Sequence, residues 1–121
     1  MKAKITIFGI LLWAFTGCVQ KTTTQTVVYK LSIKNIKDIK TVGVRGNNKP
    51  LSWQSDYPMT FDRQDSTYKA TVTYITGYKF TEVKFVVNDE FELADQDNRK
   101  VNFSDKDTTI YTATFNVKNN Y

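Results

Sequence analysis

The sequence predicts an all-β domain, an antiparallel β-sandwich of about seven short strands, preceded by a cleaved export signal. Three observations lead there. Apolar and polar residues alternate with a period of two in one segment after another. No stretch beyond the first 17 residues sustains a 3.6-residue apolar stripe. The chain is rich in Thr, Tyr, Phe and Val, residues that suit a pleated, half-buried surface.

The N-terminal segment stands apart from the domain. Lys2 and Lys4 precede an apolar run from Ile5 to Phe15, and Thr16-Gly17-Cys18 follows. A charged start, a short apolar run and small residues before a cut make a secretory signal. The run is about 11 residues, short of the roughly 20 that span a bilayer. The Thr16-Gly17-Cys18 ending resembles the lipobox of bacterial lipoproteins, with Phe15 where Leu is usual. That resemblance implies removal of residues 1–17 and acylation of Cys18, the single cysteine. An ordinary signal peptide or an uncleaved anchor is the alternative. No Asp follows Cys18, so the expected location is the bacterial cell envelope, at the outer membrane. Residues 18–26 are polar and aperiodic and read as a lipidated, flexible tether. The domain then covers 27–121.

The strands follow in order. Val27, Tyr29, Leu31 and Ile33 alternate with polar neighbours and make a first strand. Val42 and Val44 make a second, closed by the turn cluster Gly46-Asn47-Asn48. Pro58 keeps the next stretch from being a central strand. A strand over roughly 67–75 presents Tyr68, Ala70, Val72 and Tyr74 on one side, and Thr76-Gly77-Tyr78 turns the chain. Val83, Phe85 and Val87 define the next strand, Asn88-Asp89-Glu90 a turn, and Phe91-Glu92-Leu93 a short return. Asp95 to Asn98 form a polar loop, and Tyr111, Ala113, Phe115 and Val117 mark a last strand. Strands of this length and spacing imply an immunoglobulin-like sandwich.

Composition narrows the function. One cysteine permits no disulfide within the chain, so burial alone must stabilise a domain of this size. Losing Lys2 and Lys4 with the signal leaves 15 Lys and Arg against 12 Asp and Glu, a surplus of 3. The basic residues are scattered, which argues against nucleic acid as a partner. There is no histidine, the commonest general base and metal ligand.

Several short motifs then fall in a recognisable order: Val44-Arg45-Gly46-Asn47, Leu51-Ser52-Trp53, Tyr68-Lys69-Ala70-Thr71-Val72, Val83-Lys84-Phe85-Val86, and Phe91-Glu92 followed by Asn98-Arg99. In that order they resemble the starch-binding domains of the family 20 carbohydrate-binding modules and their relatives. The resemblance implies a non-catalytic domain that grips α-glucan, as polysaccharide or oligosaccharide, between two aromatics and a lysine. Trp53 falls on the first aromatic, Lys84 on the lysine and Phe91 on the second aromatic. Asn88, Glu92 and Asn98 are the further candidates for sugar hydroxyls. Two departures stand out: Ser52 replaces a glycine, and Phe91 replaces a tryptophan.

Each candidate also has a structural role open to it. Trp53 can cover a sandwich edge, Phe91 can pack in the core, and Lys84 can sit on a solvated face. Glu92 can pair with Arg99, and Asn98-Arg99 can fix a loop.

Other chemistries are less well supplied. Asp89, Glu90, Glu92, Asp95 and Asp97 crowd one region, but carboxylates on turns of a small domain without a cleft do not make a glycosidase pair. Asp95-x-Asp97 opens like a calcium loop, yet Lys106 stands where the closing carboxylate belongs. Neither a metal nor a cofactor is expected. The expected function is a lipid-anchored protein that binds starch-like glucan. The alternative is an envelope structural protein, with an envelope protein partner, that keeps the sandwich without a sugar site.

Overall fold

The computed structural model describes residues 21–118, and the predicted signal peptide and Cys18 lie outside them. Among the described residues there are nine strands and no helix. One sheet takes β4 (Thr60–Asp62), β5 (Thr67–Thr76), β1 (Thr23–Ser32) and β9 (Thr108–Thr114), in that order. The other takes β3 (Tyr57–Pro58), β2 (Val42–Gly46), β6 (Phe80–Val87) and β7 (Glu90–Phe91), with β8 (Arg99–Asn102) also pairing β6.

Alternation sets the core between them. Val27, Tyr29 and Leu31 of β1 and Val72 and Tyr74 of β5 point inward to meet Val44, Val83 and Phe85 of the second sheet. The Tyr29 and Phe85 rings meet edge-on across the gap, centroids 6.0 Å apart. Phenols at this depth need a partner, and Tyr29 and Tyr74 supply each other, with hydroxyls 2.7 Å apart.

The fold class is as expected, an all-β sandwich, with differences in detail. Pairing is antiparallel except where β1 runs parallel to β9. The expected tether is shorter, because Thr23 to Thr26 belong to β1 and pair with Thr76 to Thr73 of β5. Their polarity hides this: β-branched threonines hold an extended strand whose end faces solvent, and the Thr26 and Thr73 hydroxyls meet at 3.3 Å. The last strand lies earlier than its alternation suggests, over Thr108–Thr114, and Asn116 at φ 66° bends the chain away. β8 has no counterpart among the expected strands; only Val101 in it is apolar, and its other inward residue is Arg99. Pro58 sits on the two-residue edge strand β3, where a missing N–H does no harm.

The β6–β7 connection positions the region of interest. Asn88 and Asp89 have φ of 51° and 66°, both left-handed, as a two-residue hairpin with right-handed twist requires. The turn pairs Val87 with Glu90 and Val86 with Phe91.

Candidate functional site

Strand alternation decides which residues reach the outer face of the second sheet. Val83 and Phe85 point inward, so Lys84 points outward, directly opposite Arg45 of β2. Phe91 shares that outer face and is 44% exposed. Trp53 comes from the loop after β2. The loop folds back at Gly46, whose N–H donates to the Ser52 carbonyl at 3.3 Å. A side chain there would bring its Cβ to 2.7 Å from the Glu82 carbonyl oxygen, which explains the glycine.

These elements bring four of the sequence-predicted residues together. Trp53, Lys84, Phe91 and Asn98, with Ala94 and Asp95, line one shallow, open cavity of about 480 Å³. Trp53 and Phe91 make two walls, ring centroids 6.4 Å apart and planes inclined at 51°. The indole N–H is occupied, donating to Asn47 Oδ1 at 2.8 Å. Lys84 donates to the carbonyls of Leu93 at 3.1 Å and Gln96 at 3.0 Å, tying down the loop after β7. An ammonium has three N–H groups, so one remains for a ligand. Asn98 donates to Glu82 Oε1 at 3.2 Å.

Arg45 has no role in the sequence reading but is central to the arrangement. Its Nε donates to Asp56 Oδ1 at 2.7 Å and its Nη1 to the Trp53 carbonyl at 3.1 Å. Its guanidinium also lies 5.0 Å from the centre of the Phe91 ring. One side chain thus supports both aromatic walls. The signal for it in the sequence is its place after Val44 in an alternating strand; the structure sets it directly across from Lys84.

Glu92 is the correction. It is fully buried and cannot meet a ligand at the surface. Glu92 directly follows β7 and keeps its alternation, its N–H donating to the Phe85 carbonyl at 3.0 Å, so an outward Phe91 puts Glu92 inward. There it pairs with Arg99, with Nε to Oε2 at 2.6 Å and Nη2 to Oε1 at 2.8 Å. The carboxylate also accepts from the backbone N–H groups of Phe85 and Asn116. Arg99 donates further to the carbonyls of Thr114 and Val117 and lies over the Phe85 ring. Burial works against its charge, but the Glu92 hydrogen bond and charge outweigh it and hold the guanidinium above its ordinary value.

Among the described residues no three His, Cys, Asp or Glu side chains gather to hold a metal ion. Asp95 is exposed at the cavity rim.

No family model matches the chain, and no curated protein matches it either. Among solved structures the chain is similar to the carbohydrate-binding module CBM25-2 of the β/α-amylase from Paenibacillus polymyxa, at 20% identity and a TM-score of 0.46. That likeness covers 78% of this chain and 84% of the other.

Proposed function

We propose that this protein is a lipid-anchored, non-catalytic envelope protein that binds carbohydrate, of the starch-like α-glucan class, in the cavity between Trp53 and Phe91. The observation that carries the reading is convergence. Trp53, Lys84, Phe91 and Asn98 are spread over 46 positions of sequence, and one cavity collects them. A pyranose ring has an apolar C–H face that packs on an aromatic ring, and aromatics offer large, rigid contact area. Its hydroxyls need donors and acceptors around that contact, which the free Lys84 N–H, Asn98 and Asp95 offer. A single shallow site of this kind binds weakly. Many copies held on one membrane by Cys18 would hold a long polysaccharide by avidity.

Titration of residues 21–121 with maltoheptaose, cyclodextrin and soluble starch tests the proposal. Binding that disappears in Trp53→Ala is the expected result. No heat or spectral change at millimolar sugar would reject it.

One observation favours the second reading, an envelope interaction protein without a sugar site. The Trp53 N–H and two of the three Lys84 N–H groups are already taken by the protein itself. Under that reading the glucans leave the chain unchanged while crosslinking recovers an envelope protein.

A further inference from the structure

We infer that the turn between β5 and β6, from Ile75 to Phe80, rests on the lipid bilayer that carries the anchor at Cys18. The inference rests on the lipidation proposed above, and the shortened tether gives it force.

β1 begins beside this turn. Thr23 pairs with Thr76, and its hydroxyl donates to the Thr76 carbonyl at 3.4 Å. Four residues separate Cys18 from Thr23, so the five Cα–Cα steps between them reach at most about 18 Å at full extension. An acylated Cys18 therefore holds this end of the sandwich close to the membrane surface.

The side chains at this end suit that neighbour. Hairpin turns in water are usually polar, yet Tyr78 in the turn is 65% exposed, and it is flanked by Ile75 at the end of β5, 76% exposed, and Phe80 at the start of β6, 39% exposed. Aromatics with one apolar and one polar end settle at the headgroup level, and lysines there meet lipid phosphates. Lys79 lies within the turn. Lys100 joins it from β8, its ammonium 4.5 Å from the centre of the Phe80 ring. Lys21 lies just before β1 and is exposed. No acidic residue occurs between Ile75 and Phe80. The neighbouring β8–β9 loop, whose Phe103 N–H donates to the Lys79 carbonyl, carries exposed Asp105 and Asp107 around Lys106, so the apolar side chains and not net charge make the contact.

The far end of the domain differs. β1 runs ten residues, about 33 Å, to a loop that exposes Lys34, Asn35, Lys37, Asp38, Lys40 and Thr41 and keeps Ile33, Ile36 and Ile39 half-buried. The aromatic cavity lies further along β6: Lys84 is four residues, about 13 Å, from Phe80, and Phe91, paired with Val86, six residues, about 20 Å. The Pro50–Ser52 stretch before Trp53 reaches back to Ile75. The same contact would therefore orient the domain with its cavity open to the surroundings.

Full-length lipidated protein in vesicles of phosphatidylethanolamine and phosphatidylglycerol provides the test. The mature chain has one tryptophan, Trp53, because Trp13 leaves with the signal. In the variant Trp53→Phe with Tyr78→Trp, the introduced indole should emit further to the blue in vesicles. Brominated acyl chains should quench it several-fold more than they quench Trp53 in the unmodified protein. A second variant, Trp53→Phe with Ile75→Trp, should behave alike, which guards against a local effect of changing Tyr78. Quenching at both positions no stronger than at Trp53, on protein whose intact mass shows acylation, overturns the bilayer contact alone. An intact mass with an unmodified Cys18 overturns the anchor and the inference with it.

Discussion

Glu92 and Arg99 meet inside the sandwich through two hydrogen bonds, 2.6 and 2.8 Å long, with side chains almost wholly removed from water. The pair joins the end of β7 to β8, and Arg99 reaches on to the Thr114 and Val117 carbonyls at the end of β9. It fixes both ends of the loop that carries Asp95 and Asn98.

Breaking that pair from one side should be costly. Glu92→Gln leaves the Arg99 charge buried without its counter-charge, which typically costs about 3–5 kcal/mol. Domains of this size have only about 5–15 kcal/mol in total. Urea unfolding should show a midpoint far below that of the parent chain. The double variant Glu92→Met with Arg99→Met should recover only part of the loss: it removes the unpaired charge, but leaves the Phe85 and Asn116 N–H groups and the Thr114 and Val117 carbonyls without these partners. A single variant as stable as the parent would show that the pair contributes little.

That pair also explains what could be read from sequence and what could not. Strands such as β1, β5 and β6 announce themselves, because their inward residues are Val, Tyr, Leu and Phe. β8 does not, because its inward set is Arg99 and Val101. A guanidinium reads as a surface residue until its carboxylate partner is known. The motif resemblance offers both Phe91 and Glu92 to a ligand, although neighbours in an extended segment face opposite ways. Applied to β7, the alternation rule already divides them. Arg45 was legible as an outward residue, but its bonds to Asp56 and Trp53 depend on how the loop after Gly46 folds back, and spacing does not encode that.

The Phe91 wall gives a prediction with a sign in each direction. Phe91→Ala should weaken glucan binding by roughly tenfold, about 1.4 kcal/mol, through lost stacking area. Phe91→Trp enlarges the stacking face and should strengthen binding by a few-fold. Calorimetric titration with maltoheptaose measures both. Equal affinity for all three chains would place the sugar elsewhere.

Arg45 should act through the two walls rather than on the ligand. Arg45→Met keeps much of the side-chain volume but removes the bonds to Asp56 and the Trp53 carbonyl and the charge beside Phe91. Trp53 should then become more mobile, seen as lower fluorescence anisotropy, and glucan affinity should fall. The side chains of Arg45 and Asp56 are only 16% and 21% exposed, so leaving Asp56 without its partner should cost about 1–3 kcal/mol in stability. Unchanged anisotropy with unchanged affinity would show that the loop holds Trp53 without help.

The tyrosine pair predicts how stability responds to alkali. Burial, with Tyr74 adding to it, holds the Tyr29 phenol far above its ordinary value of 10.0. Burial also pushes Tyr74 up to about 12, against the pull of its hydrogen bond to Tyr29. Both values are raised in the folded chain, so the pair's contribution is complete below 10.0 and declines as pH rises above it. The unfolded chain then releases protons that the folded chain still holds. Melting temperature should fall above that pH, and two of the seven tyrosines should gain tyrosinate absorbance only as the domain unfolds. Tyr29→Phe leaves the Tyr74 hydroxyl buried without its partner and should cost about 1–3 kcal/mol at neutral pH. Tyr29→Phe with Tyr74→Phe should lose less than that, because neither polar group is left unpaired, and its alkaline decline should be shallower. All seven tyrosines ionising together in a chain that remains folded would contradict the pairing.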